Sequence, residues 1–94
     1  MAGFRIINKT VRQLLGELDR ARSTYRRKGD TLRFACYESI IDHIRKNAWD
    51  KWYNIDCASD HVIYTRDQYF RERDYKTVAV YNEILDIVKK YQSA

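Results

Sequence analysis

Residues 8–48 read NKTVRQLLGELDRARSTYRRKGDTLRFACYESIIDHIRKNA, and this stretch decides the fold. Val11, Leu14, Leu18, Ala21 and Tyr25 recur at spacings of 3, 4, 3 and 4, with Leu15 widening the stripe. That is the period of one helix face, not the alternation of a strand. Phe34, Tyr37, Ile41, Ile44 and Ala48 repeat the same spacing, flanked by Ile40 and Trp52. Between the two runs stand Gly29 and Asp30. Glycine readily supplies the left-handed residue that ends a helix, and aspartate caps the next one. Asn8 or Thr10 is suited to cap the first. The stretch from 9 to 53 therefore predicts an antiparallel helical hairpin, preceded by an N-terminal arm over 1–8. Matched heptad-like seams favour near-parallel packing of the two axes.

Beyond the hairpin, residues 54–60 (NIDCASD) have the composition of a loop. Residues 61–92 predict C-terminal helices. Val62-Ile63-Tyr64-Thr65 has strand-like composition, but the spacing of Ile63 and Phe70 suits a third helix. The last helix, from about Lys76 to Tyr91, has a stripe of Val78, Tyr81, Leu85 and Val88 flanked by Val80, Ile84, Ile87 and Tyr91. So broad a stripe suits packing on two sides. No Gly or Pro follows Asp60, so one continuous rod and two separate helices both fit. No internal repeat is evident. The expected fold is all-α, a small helical bundle forming a single domain over 1–94.

A chain of 94 residues makes one domain, and 45% hydrophobic against 33% charged residues is a globular rather than a disordered balance. No apolar run is long enough for a membrane span, and Phe4, Ile6 and Ile7 are too few for a secretory signal. A cytoplasmic protein without membrane contact is expected. Cys36 and Cys57 then read as free thiols.

The charge is distributed unevenly. The net charge is +5. Between Asn8 and Lys28 the cations Lys9, Arg12, Arg20, Arg22, Arg26, Arg27 and Lys28 face only Glu17 and Asp19, and the remainder of the chain is balanced. At 100° per residue from Val11, the apolar seam centres at about 320°. Lys9 and Arg27 then fall at about 160°, Arg20 at about 180° and Arg12 at about 100°. Gly16, at about 140°, lies within this cationic stripe. Such a patch is the electrostatic footprint of an anionic partner. Arg26, Arg27 and Lys28 also complement the dipole at the helix C-terminus.

Chemistry-bearing constellations are sparse. Cys36, His43, Cys57 and His61 are the raw material of a zinc site, but Cys36 and His43 lie about 10.5 Å apart along one helix, too far to share a tetrahedral ion. No Gly-rich phosphate loop and no nucleophile–base pair stand out, so neither metal, cofactor nor catalysis is expected. Trp49, Trp52, Tyr53 and Tyr69 are the candidate interface residues, since a domain this small has more aromatics than it needs for its core. A homo-oligomer is expected on that ground.

The first functional reading is a non-catalytic nucleic-acid-binding module, RNA before DNA. It uses Lys9, Arg12, Arg20, Arg26, Arg27 and Lys28, with aromatic rings for unpaired bases. The compact, Tyr-rich and charge-rich build also resembles small accessory proteins of tailed phages. That resemblance implies an inhibitor or adaptor whose same surface meets an acidic protein partner. A small anionic nucleotide ligand is the third reading.

Overall fold

The computed structural model describes residue 6 and residues 8–93. Four helices follow in order: α1 Lys9–Lys28, α2 Thr31–Asn47, α3 Ile55–Arg71 and α4 Tyr75–Gln92. The fold is all-α, a four-helix bundle of two hairpins, with α1 on α2 and α3 on α4. Contacts between the hairpins are fewer than those within them. Of the N-terminal arm, residues 1–5 and 7 lie outside the described residues, Ile6 packs against the core and Asn8 caps α1. Among the described residues no helix is long and apolar enough to cross a membrane.

The predicted seams form the core. Val11, Leu14 and Leu18 of α1 and Ile40, Ile41 and Ile44 of α2 are fully buried. They meet Val62 of α3 and Ile84 and Val88 of α4. The broad stripe of α4 is consumed internally, because α4 packs on α3 and also touches α1 and α2. Arg33 ties the hairpins together at the surface, donating through Nε (3.1 Å) and Nη2 (2.6 Å) to the Glu83 carboxylate.

One boundary differs from the sequence reading, and one that it left open is resolved. Residues 54–60 are not a loop. Asn54 caps α3, its side chain accepting from the backbone N–H groups of Asp56 and Cys57, and the helix starts at Ile55. The turn-forming residues there are a helix start. The rod from 61 onward is broken at Glu72–Asp74, with Arg73 at φ 61°. The Arg73 N–H donates to Phe70 O and the Asp74 N–H to Tyr69 O, each at 3.0 Å. This pair of bonds is the Schellman arrangement, which satisfies the last carbonyls of a helix.

The same turn ends α1. There Gly29 has φ 73°, its N–H donates to Arg26 O and the Asp30 N–H donates to Tyr25 O. The likeness extends through both hairpins at an offset of 44 residues, so α2 from Thr31 corresponds to α4 from Tyr75. Asp30 and Asp74 cap the second helices in the same way. Tyr25 packs on Tyr37 at 5.2 Å, and Tyr69 on Tyr81 at 5.6 Å. Arg22 reaches Glu38, and Arg66 reaches Asn82. Buried Leu14, Leu18, Cys36, Ile40, Ile41 and Ile44 correspond to buried Ala58, Val62, Val80, Ile84, Leu85 and Val88. The chain is a repeat of one helical hairpin, which the sequence reading missed.

Candidate nucleic-acid interface

Helix α1 keeps its cations outward because Val11, Leu14 and Leu18 fix its other face in the core. Lys9, Arg12, Arg20, Arg26, Arg27 and Lys28 are all exposed. Among the described residues none of the six forms a salt bridge, whereas Arg22, Arg33, Arg45, Arg66 and Lys90 each do. The Arg12 guanidinium donates to the Ile6 carbonyl, at 3.3 Å. The two carboxylates of α1 are engaged elsewhere. Glu17 accepts from Lys90 Nζ and Tyr91 Oη of α4, both at 2.7 Å, and the Lys90 contact holds its carboxyl below the usual range despite partial burial. Asp19 is held by Arg22 and by Arg45 of α2. The helix is about 30 Å long, and its outer side carries positive charge with little to offset it.

The repeat provides an internal comparison. At the positions of Arg12, Arg20, Arg26 and Lys28 the second hairpin carries Asp56, Tyr64, Phe70 and Glu72, and Arg27 finds a cation, Arg71; the position of Lys9 falls on Tyr53, ahead of the α3 cap. The same fold is built without the cationic face, so the fold does not require it.

Arg20, Ser23, Thr24, Arg27 and Asp19 line a shallow groove on this face. Thr24 Oγ1 donates to the Arg20 carbonyl at 3.1 Å, and Arg27 Nη2 donates to Thr24 Oγ1 at 3.4 Å. A Cβ added at Gly16 would stand 3.5 Å from Arg20 Nη1, so the Arg20 guanidinium folds back beside the glycine.

Of the four candidate interface aromatics, two are at the surface. Trp52 is 76% exposed, with Lys51 Nζ 5.3 Å from its ring centroid, and Trp49 is 51% exposed. Trp49 is fixed by its indole N–H, which donates to Lys46 O at 2.8 Å. The pairs Arg22–Glu38 and Asp19–Arg45 set α1 antiparallel to α2, so both tryptophans lie toward the Lys9–Arg12 end. Of the other two, Tyr53 is corrected. Tyr53 is buried at 8% exposure and anchors the α2–α3 connection from beneath. Its hydroxyl finds no partner among the described residues, and burial pushes it well above the usual phenol range. Tyr69 is half-buried and stacked on Tyr81. Tyr53 is thereby withdrawn from the surface, whereas Tyr69 keeps part of its ring exposed.

Outside those four, Tyr64, Phe70 and Tyr75 are also exposed, and Phe70 meets Tyr75 edge to face at 5.7 Å. A pairing that the sequence reading missed is His43 of α2 on His61 of α3, stacked with centroids 3.5 Å apart and planes within 3°. Cys36 is buried, Cys57 is half-buried, and the two are not bonded. Among the described residues no three His, Cys, Asp or Glu side chains converge as metal ligands. Comparison with known proteins finds no matching family, no matching curated protein and no matching solved structure.

Proposed function

We propose that this protein is a non-catalytic RNA-binding module whose cationic α1 face follows the phosphate backbone. The observation that carries this reading is the set of six exposed α1 cations that form no salt bridge among the described residues, with a cation at only one of the five equivalent positions within α3 and its C-cap. Trp49 and Trp52, toward the Lys9–Arg12 end of that face, offer rings on which unpaired bases can stack. An acidic protein partner is the rival occupant of the same face.

The test compares two double variants with equal change in charge. Arg20→Glu with Arg27→Glu alters the α1 face. Arg71→Glu with Lys76→Glu alters exposed cations of the second hairpin. On a fluorescent 12-nucleotide oligouridylate, the α1 pair should weaken binding strongly. Its log–log salt slope should flatten by about 1.4, since two phosphate contacts are lost on a single strand. The second pair should leave the slope nearly unchanged. Equal loss from both would mean diffuse attraction, and no loss from the α1 pair would transfer the face to the protein partner.

A further inference from the structure

A hairpin that occurs twice shows which of its grooves has been changed. At the α1–α2 turn lies a cavity of about 240 Å³, whose lining includes Tyr25, Arg26, Gly29, Phe34, Ala35 and Glu38. Its walls are mainly apolar, and Tyr25 and Phe34 are half-buried in them. The second hairpin has the equivalent groove, with Phe70, Val78 and Asn82 at the positions of Arg26, Phe34 and Glu38. There the chain supplies its own ring, since Phe70 lines the groove and meets Tyr75 edge to face. In the first hairpin a cation stands in place of that ring, a phenylalanine in place of the valine and a carboxylate in place of the amide. Pockets for drug-sized ligands run to about 300–1,000 Å³, so the smaller cavity suits a single ring system.

The polar groups select the ring. Arg66 donates to Asn82 Oδ1 at 3.1 Å, and Arg22 donates to Glu38 Oε1 at 3.2 Å. The same bond therefore holds either side chain, and the fold does not require the carboxylate. Glu38 Oε2 accepts no hydrogen bond among the described residues. Arg22 takes up one of about four acceptor positions of that carboxylate. A carboxylate beside an apolar wall suits a ring with adjacent N–H donors. Arg26 is among the exposed α1 cations, and Arg27 and Lys28 follow it, so the same end of α1 attracts a polyanion. Guanine joins these demands, because its pairing edge carries an N1–H and a 2-amino group side by side, whereas uracil offers one N–H. We infer that the cavity is a socket for one unpaired guanine of a single-stranded RNA. The base packs on Phe34 and donates both groups to Glu38, and its phosphate lies against Arg26. This inference rests on the RNA-binding reading and adds base selection to it. Trp49 and Trp52 lie toward the opposite end of α1, and stacking on them accepts any base.

Fluorescence anisotropy on the full chain reads the outcome with three probes. These are the 12-nucleotide oligouridylate, the same oligomer with guanosine at every third position, and guanosine 5′-monophosphate as a competitor. The guanosine oligomer should bind about tenfold tighter than oligouridylate, the discrimination of a bidentate contact. The free nucleotide should bind about 100-fold more weakly than that oligomer, because it lacks the linked phosphate contacts. Glu38→Gln should bring the ratio of the two oligomers to within about twofold. Phe34→Val places the second hairpin's own residue at the same position and should also narrow the ratio, which keeps the test independent of any fold defect in the first variant. Equal binding of the two oligomers by the wild type, or an unchanged ratio in either variant, would overturn the socket and leave α1 as an RNA surface. Binding of neither oligomer would overturn the RNA reading and the socket with it. A free nucleotide that bound as tightly as the oligomer would overturn the assignment to RNA.

Discussion

Gly16 costs the outer face of α1 stability without an evident return. A Cβ built there would lie 3.5 Å from Arg20 Nη1, an ordinary contact with the mobile tip of a long side chain. Glycine inside a helix is about 1 kcal/mol less favourable than alanine. Gly16→Ala should therefore raise unfolding stability by about 1 kcal/mol in urea titrations. Binding of the oligouridylate should stay within about twofold, because none of the six α1 cations moves away from solvent. A variant that gained stability but lost binding would show that the backbone at Gly16 is approached after all. The same contact explains why the sequence could pose the question of Gly16 and not answer it. The angle that put glycine among cations was legible, but the fold-back of Arg20 over it is a rotamer choice that no spacing encodes.

At the scale of the element, the two hairpin turns make the same bonds with different residues. Gly29 adopts its left-handed backbone freely, whereas Arg73 holds φ 61° with a side chain that the conformation disfavours. Arg73→Gly should stabilise the protein by about 0.5–1 kcal/mol, the relief being partly offset by the greater freedom of glycine in the unfolded chain. Thermal unfolding by circular dichroism checks it, and a fall in midpoint would mean that the Arg73 side chain contributes more than its backbone costs. This pair of turns also shows what the sequence could disclose. The break at Gly29-Asp30 was visible because glycine announces it. The break at Glu72-Arg73-Asp74 was left open, with the last helix read from about Lys76, because arginine makes the same turn unannounced. The start of α3 was hidden in the same way. Asn54 is a cap and a loop former alike, and buried Ser59 interrupts the apolar count that Ile55, Ala58 and Val62 would otherwise have shown. The repeat escaped because its outer positions diverge. Arg22/Arg66, Tyr25/Tyr69, Asp30/Asp74 and Tyr37/Tyr81 match, while the α1 cations face aromatic and acidic counterparts. The exposure of Lys9, Arg12, Arg20 and Arg27 was legible from their angle to the apolar seam, whereas Lys28 is exposed because the helix ends there. Tyr53 was misjudged because an aromatic near a helix end can turn inward, and composition does not reveal which will.

Across the whole molecule, the hairpins meet partly through two neutral imidazoles. His43 stacks on His61, with Asn47 Nδ2 3.3 Å from His43 Nδ1, Thr65 Oγ1 3.5 Å from His61 Nε2 and the Tyr53 ring 6.0 Å from His43. Among the described residues no carboxylate hydrogen-bonds to either ring. Burial lowers both basicities, and the nearby charge of His61 adds to the effect on His43, which falls to about 4. An unfolded histidine titrates at about 6.5, so below that pH the unfolded chain takes up protons that the folded one refuses. Stability is therefore fully present above about pH 6.5 and lost as the pH falls toward about 4. The loss at pH 5 should be about 1–2 kcal/mol after allowing for the partial exposure of the rings. Carboxylates held down in the folded state, such as Glu17 and Asp30, lose their contribution mainly below the ordinary carboxylate range. The interval from pH 7 to pH 5 thus isolates the imidazoles. Urea midpoints measured across it should fall for the wild type and fall distinctly less for His43→Gln, which removes one titrating ring and the repulsion between two. Equal slopes in both proteins would mean that the stack opens to water without cost and that the hairpins are held by their apolar contacts alone.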